Sequence, residues 1–497
     1  MSIKSFGAKI LAKKTVKKIH SWTANPVVTQ QRVFSQLISE AKNTQFGIDH
    51  HFAEIASPAD FAEKVPIRDY EDLRGYIDRV VAGEEDILWP GKPLYIAKTS
   101  GTTTGAKYIP LTKASMPSHI EAARNALLCY INETGNEKFV DGKMIFLQGS
   151  PEMTEKNGIK QGRLSGIVAH YVPVYLLKNR LPSWETNCIE DWETKVDAIV
   201  EETRNEDMTV ISGIPSWVQM YFERLQIATG KKIGDLFKNF NLFIYGGVNY
   251  EPYRKKFENM IGRKVDSIEL YPASEGFFAF QNEQKDKGLL LQLDSGMFFE
   301  FVEADKFFDE HPERLTIGQV ELGTNYVMIV SSNAGLWAYN VGDTILFTST
   351  DPYKLIVTGR ITHFISAFGE HVIGKEVEQA MQDAMQEFGF SISEFTVAPK
   401  IETGYELPYH EWLVEFDETP DNMAEIASQI DKSMQRQNSY YFDLIEGKIL
   451  QKLKITPLKM NSFNNYMKSQ GKLGGQNKIP RLSNDRKIAD PLIRIQA

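Results

Sequence analysis

Cysteine is nearly absent from this 497-residue chain. Cys129 and Cys188 are its only 2, and they lie too far apart for a metal-ligand spacing or a Cys-x-x-Cys redox pair. Both are expected to be structural thiols in a reducing cytosol, so the chain reads as cytoplasmic. Long apolar runs are missing too. None approaches the roughly 18 residues of a membrane span, in keeping with a mean hydropathy of −0.32. A surplus of positive charge is also lacking: 65 Asp and Glu stand against 56 Lys and Arg, a net charge of −9. That balance excludes a whole-surface grip on nucleic acid, and any polyanion must be held by a local patch. Internal repeats and low-complexity linkers are absent as well.

What is present is an ordinary globular composition, with 42% hydrophobic and 24% charged residues, which excludes wholesale disorder and coiled coil. At roughly 150 residues per domain, the length predicts two or three domains. Met1 to Trp22 interleaves lysines with Phe6, Ile10, Leu11, Val16 and Ile19, without the continuous apolar core of a secretory signal. It reads as a helix packed on its own domain with solvated lysines, and no function is assigned to it. Helical spacing continues to about Leu88. Residues 93–131 then read as a strand, a Gly/Thr-rich loop, a short extended piece and a long helix. The apolar runs 143–149, 208–214 and 241–247 are short and alternate with helical stretches at 188–205 and 215–230. This alternation predicts an α/β domain with substantial parallel sheet.

Strand-rich sequence at 288–304 and 319–350 suggests a mixed or barrel-like sheet beside the first. From about Thr362 the pattern is helix (374–389), strands (394–401 and 409–417), helix (421–437) and strand (447–459), a small α+β domain. A short hinge is expected near Gly359 to His363.

Three motifs carry chemistry. Thr99-Ser100-Gly101-Thr102-Thr103-Thr104-Gly105-Ala106-Lys107 combines glycines that let backbone N–H groups approach an anion, hydroxyl donors and a lysine, a composition suited to polyphosphate. It is not a Walker loop, because three residues separate its glycines and Ala106 intervenes before the lysine. Taken alone it reads equally as a flexible turn. Tyr271-Pro272-Ala273-Ser274-Glu275-Gly276 follows a predicted strand. A carboxylate there can hold Mg²⁺ on ATP, or it is simply a solvated loop acid. In Tyr339-Asn340-Val341-Gly342-Asp343, the Asp343 carboxylate can accept from two ribose hydroxyls, or it forms an Asx turn.

Together and in this order, ahead of Gly359-Arg360, these segments resemble the three nucleotide motifs of the auxin-responsive acyl-acid amido synthetases, the Gretchen Hagen family, within the acyl-adenylating superfamily. The likeness runs from about Ile67 to Arg481. It implies a large N-terminal ATP- and acyl-acid-binding domain, 1–359, and a small mobile C-terminal cap domain, 360–497. It also implies ATP and Mg²⁺ as cofactors, with AMP formed. Carried over, Ser100, Gly101, Thr102, Thr103 and Gly105 would cradle the β- and γ-phosphates, with Tyr271 and Ser274 in the second nucleotide motif. Glu275 would bind Mg²⁺ and Asp343 the ribose. Gly246 and Gly247 would form the turn beneath adenine and acyl group, and Arg360 would support the ribose. Lys478, in Asn477-Lys478-Ile479-Pro480-Arg481, matches the family's terminal lysine segment and would stabilise charge at the α-phosphate. Two departures are visible: the first loop is one residue short before Ile109-Pro110, and Asn340 stands where the family has arginine.

The implied reaction is a ligase reaction forming a carbon–nitrogen bond. A carboxylic acid attacks the α-phosphorus of ATP to give acyl-adenylate and pyrophosphate, and an amino-acid amine then expels AMP. Tyr171, Ile214, Trp217 and Phe277 are candidate acid-pocket residues because they flank predicted strand ends or the second motif; core packing explains each as well. The chain is expected to be a monomer with small carboxylic acid and amino acid substrates, no nucleic-acid partner and no transmembrane segment. Two rivals stand beside this reading: an acyl-CoA ligase sharing the first step, and a non-catalytic nucleotide-binding protein.

Overall fold

The computed structural model describes residues 3–99, 107–172, 178–247, 250–361, 372–401, 407–446, 449–473 and 478–495. The chain divides into two compact units, and not strictly in chain order. The larger comprises Met1–Val248, Met260–Val341 and Ile345–Ile356; the smaller comprises Asn249–Asn259, Gly342–Thr344 and Val357–Ala497.

In the larger unit the strands are, in chain order, β1 (Tyr95–Thr99), β2 (Lys107–Leu111), β3 (Lys143–Phe146), β4 (Thr154–Lys156), β5 (Ile159–Gly162), β6 (Arg180–Leu181), β7 (Met208–Ser212) and β8 (Leu242–Gly246). They are followed by β9 (Asp266–Pro272), β10 (Phe277–Gln281), β11 (Leu289–Leu291), β12 (Met297–Glu303), β13 (Leu315–Thr316) and β14 (Asn325–Ser332). The long strands β15 (Tyr339–Thr350) and β16 (Tyr353–Arg360) come last, with Gly342–Thr344 of β15 and Val357–Arg360 of β16 counted in the smaller unit. A four-stranded sheet has the order β2-β1-β5-β4, and a 12-stranded sheet the order β13-β12-β14-β15-β16-β11-β10-β9-β8-β7-β3-β6.

Within the large sheet, β6, β3, β7, β8 and β9 pair in parallel. The pairings of β9 to β10, β10 to β11 and β11 to β16 are antiparallel. The strand-rich middle of the sequence therefore continues the parallel sheet instead of forming a second one beside it. Continuous apolar runs explain the parallel block: Val210, Ile211, Leu242 and Phe243 are all buried, as strands covered on both faces must be. The crossover helices are delimited by their own chemistry. Asp191 caps the helix Trp192–Thr203 by accepting from the Thr194 N–H. Pro215 opens the helix Pro215–Thr229, and Gly230, at φ 68°, closes it, a left-handed position glycine takes without strain.

The N-terminal helix Ile3–Thr23 packs against the helix Met116–Thr134. Ala12, Ile19 and Trp22 are buried, and Lys9 pairs with Glu137 at 3.0 Å. This is the packed helix with solvated lysines that its sequence suggests. Among the described residues, no helix is long and apolar enough to cross a membrane.

The smaller unit is built on β17 (Ile392–Lys400), β18 (Tyr409–Phe416) and β19 (Lys454–Leu458), in that order in one sheet. β17 and β18 are antiparallel, β18 and β19 parallel. The amphipathic helices Gly374–Phe388 and Met423–Gln437 bury Met381, Ala384, Ile426 and Ile430 in one core with Phe395 and Trp412. The Phe395 and Trp412 rings stack 5.8 Å apart at 3°. Of the strand expected over 447–459, the described residues 449–459 form one over Lys454–Leu458, on the sheet edge, where Pro457 is tolerated.

Candidate functional site

The carboxyl ends of the parallel strands in the larger unit collect several of the expected residues. β7 ends at Ser212, ahead of Ile214 and Trp217; β8 ends at Gly246, and β9 at Pro272, ahead of Ser274 and Glu275. These strands are neighbours in register, and in open α/β sheets ligands bind outside the carboxyl ends of such strands.

Gly246 sits opposite Leu270, and a Cβ there would stand 2.5 Å from the Leu270 carbonyl oxygen. Only glycine permits that approach. Gly246→Ala is expected to destabilise the chain by about 1–3 kcal/mol, read as a lowered midpoint of urea unfolding. Gly247 follows at φ 84°, so the strand turns away directly after the close approach.

The second motif makes the tight turn between β9 and β10. The Ala273 N–H donates to the Gly276 carbonyl at 2.8 Å, and the Gly276 N–H to the Ala273 carbonyl at 3.3 Å. A Cβ on Gly276 would meet the Met297 sulfur at 2.4 Å. Ser274 and Tyr271 are buried, the Tyr271 ring lying edge-on to Phe278 at 5.1 Å. Glu275 is half-buried at the apex. Among the described residues no group of three or more His, Cys, Asp or Glu side chains is disposed to hold a metal. One half-buried carboxylate in a rigid turn nonetheless fits Mg²⁺, which takes one or two carboxylates and keeps waters and substrate phosphates as its other ligands.

Of the candidate pocket residues, Ile214 is half-buried at the start of the helix Pro215–Thr229. Trp217 is buried, its ring 4.5 Å from that of Trp192, and Phe277 is buried as the first residue of β10. Tyr171 stands with another strand: its hydroxyl donates to Tyr95 at 3.0 Å. Burial, then that hydrogen bond, pushes its phenol up to about 12. The loop residues Ser100, Gly101, Thr102, Thr103 and Gly105 lie outside the described residues, as do Thr362, His363 and Asn477. The strands flanking the loop form an antiparallel pair whose last register is Thr99 with Lys107.

The smaller unit brings together three expected residues that are far apart in the chain. Arg360 Nε donates to Asp343 Oδ1 at 3.0 Å. The Ile361 N–H donates to the Gly342 carbonyl at 2.8 Å, and Gly342 takes φ 88°, with Arg360 Nη2 3.5 Å from where its Cβ would stand. Lys478 feels both charges. Its side chain is exposed, yet crowding by surrounding protein lowers its ammonium to about 8, with Asp343 opposing that lowering and Arg360 adding to it. The exposure leaves this lysine open to a ligand; it is not a core charge. A carboxylate, a guanidinium and a lysine of depressed pKa offer acceptors for hydroxyls and charge for a phosphate.

Sequence reasoning missed Lys195. It lies on the inward stripe of the helix Trp192–Thr203 with Trp192, Val196, Ile199 and Val200. A lysine in the apolar register of an amphipathic helix was the available signal.

The GH3 family N-terminal domain matches residues 15–187, the GH3 family central domain 290–360 and the GH3 family C-terminal domain 375–487. The jasmonoyl–L-amino acid synthetase JAR4 of Nicotiana attenuata is 22% identical over 384 residues, 64% of this chain and 66% of the relative, just under two thirds of its length. The indole-3-acetic acid-amido synthetase GH3.4 of Arabidopsis thaliana is 21% identical, covering 94% of this chain and 91% of the relative. Among solved structures, the GH3.15 acyl acid amido synthetase superposes with a TM-score of 0.78 at 17% identity, covering 96% of this chain and 95% of that one. A 2-hydroxyisobutyryl-CoA ligase in its postadenylation state superposes at 0.63 and 13% identity, covering 94% and 91%.

Proposed function

The chain belongs to the GH3 family, and from that premise we propose that it is an ATP-dependent acyl-acid amido synthetase. A substrate carboxylate oxygen attacks the α-phosphorus of ATP; the bond to the bridging oxygen breaks and pyrophosphate leaves. An amino-acid amine then attacks the carbonyl of the acyl-adenylate, AMP leaves with the C–O electron pair, and the amine loses a proton as the amide forms. Activation is needed because a carboxylate is a poor electrophile.

The observation that carries this reading is the convergence of Asp343, Arg360 and Lys478. Asp343 accepts from the ribose hydroxyls, with Arg360 fixing the carboxylate. Lys478 stabilises the charge that develops at the α-phosphate during attack. Gly246 and Gly247, having no side chains, leave the end of β8 open to adenine and acyl group, and Tyr271 and Ser274 hold the neighbouring turn. The loop from Ser100 to Gly105 receives the β- and γ-phosphates through backbone N–H groups and hydroxyls. Glu275 is the residue to hold Mg²⁺, which when bound neutralises charge on the leaving pyrophosphate. Ile214, Trp217 and Phe277 follow or begin strands on the edge where the acid is expected.

The test is a pyrophosphate-exchange and pyrophosphate-release screen crossing carboxylic acids with amino acids and with CoA. Acid-dependent exchange, with AMP release stimulated by an amino acid, is the expected result. Stimulation by CoA alone would instead identify an acyl-CoA ligase. Absence of exchange across a broad acid panel would remove adenylation and leave a nucleotide-binding protein.

A further inference from the structure

The strand edge that ends in Gly246 carries a second polar cluster, in the larger unit, that the ATP motifs do not use. Lys195 is 1% exposed, and its Nζ donates to the Gln148 carbonyl at 3.1 Å and the Asn187 carbonyl at 2.5 Å. An ammonium has three N–H donors, so one remains. No carboxylate pairs with it among the described residues. Burial is the main cause that lowers it to about 8; the Cys188 thiol opposes the shift and Arg163 adds to it.

Arg163, just before the helix Leu164–Ala169, is exposed; its carbonyl accepts from the Ile167 N–H at 2.9 Å, while its guanidinium has no ion pair among the described residues. Gly149 gives it room: a Cβ there would stand 3.0 Å from Arg163 Cδ, 3.6 Å from its Nη1 and 3.5 Å from Ser165 Oγ. Three further buried polar atoms here, Gln148 Nε2, Ser165 Oγ and the acceptor Asn187 Oδ1, have no partner among the described residues. A buried ammonium, an exposed guanidinium, an amide N–H and a hydroxyl thus share one neighbourhood, and neither cation has an ion pair among the described residues. Buried charge without a counter-charge is costly, and the missing component is an anion.

Position indicates which anion. Gln148 and Gly149 follow β3, which pairs with β7, which pairs with β8. Neighbouring strands lie about 4.8 Å apart, so two steps place this cluster about 10 Å from the Gly246 end, within the length of a short extended substrate. We propose that Lys195, Arg163, Gln148 and Ser165 form an anion subsite for a substrate carboxylate other than the one being activated. The proposal rests on the amido synthetase reading. It assigns a charged group either to the far end of the acyl acid or to the acceptor amino acid, and makes these residues determinants of specificity.

The test compares wild type with Arg163→Gln, a change at an exposed position, and with Lys195→Met. Exchange is measured with straight-chain dicarboxylates and monocarboxylates of equal length, amide formation with amino acids and their carboxamides. If the acyl acid carries the anion, the variants raise the KM of dicarboxylates by about 10- to 100-fold, the worth of a charged hydrogen bond, and leave that of monocarboxylates unchanged. If the acceptor carries it, the same rise appears for amino acids and not for their carboxamides. Equal effects on charged and uncharged analogues, or none, would overturn the subsite. Should no acid support exchange, the synthetase reading fails by itself, and thermal unfolding decides the subsite: dicarboxylate stabilises wild type and not Arg163→Gln if it exists. Failure to stabilise wild type would overturn it.

Discussion

Lys478→Ala is expected to lower acid-dependent ATP–pyrophosphate exchange by about 100- to 1,000-fold, the usual cost of removing one donor aimed at developing charge. The unfolding midpoint should hardly move, because the side chain is exposed and exposed substitutions rarely cost more than about 0.5 kcal/mol. A pH profile separates this role from a purely structural one. The active form is the ammonium, and its pKa is lowered to about 8 chiefly by crowding. In the free enzyme, kcat/KM for ATP in the first half-reaction should therefore be flat below that value and fall about tenfold per pH unit above it. An ordinary lysine would hold the plateau to beyond pH 10. A fully active Lys478→Ala protein would end the assignment.

Arg481→Met is expected to cost about 3–5 kcal/mol, the price of breaking a buried ion pair by removing one partner. Arg481 pairs with Glu378 at 3.0 Å and also with Glu394. It reaches the Tyr253 hydroxyl at 3.3 Å, and its guanidinium lies 4.7 Å from the Phe395 ring centroid. Methionine would take the guanidinium away from two largely buried carboxylates. The same arginine sits where the chain is fastened to β17. The Val397 N–H donates to the Arg481 carbonyl at 2.9 Å, the Ser483 N–H to the Val397 carbonyl at 2.9 Å, and Thr396 Oγ1 to the Pro480 carbonyl at 2.7 Å. That fastening lies just after Lys478 and fixes where the lysine begins. Arg481 is thus a positioning residue: loss of stability in urea should come with a fall in kcat for exchange while the KM for acid is held. Arg481→Lys keeps the charge but not the planar fork, and should recover only part of both. An Arg481→Met chain as stable as wild type would show that the pairs contribute nothing net.

Much of this was legible without a structure because local sequence fixes local structure. The apolar runs ending at Phe146, Ser212 and Gly246 could only be strands buried on both faces, and the stripes of 374–389 and 421–437 could only be amphipathic helices. The order of the three motifs pointed to nucleotide chemistry and to Asp343, Arg360 and Lys478 individually. Their meeting was not readable, because it depends on how Gly342–Thr344, the end of β16 from Val357 and the segment after Lys478 pack within the smaller unit. Nor could chain order assign Asn249–Asn259 to that unit; Tyr253 reaches Glu394 at 3.0 Å and Lys256 reaches Asp417 at 2.8 Å, long-range bonds that leave no periodic trace. Lys195 shows the same division. Its place on an apolar stripe is written in the sequence, but its neighbour Arg163 and the lack of an ion pair for it among the described residues are decided by tertiary packing alone. The sequence by itself determined the elements, the motifs and the class of chemistry. Only the tertiary structure decided which charges share a neighbourhood, because electrostatic interactions depend on distance through space and burial, neither of which periodicity encodes.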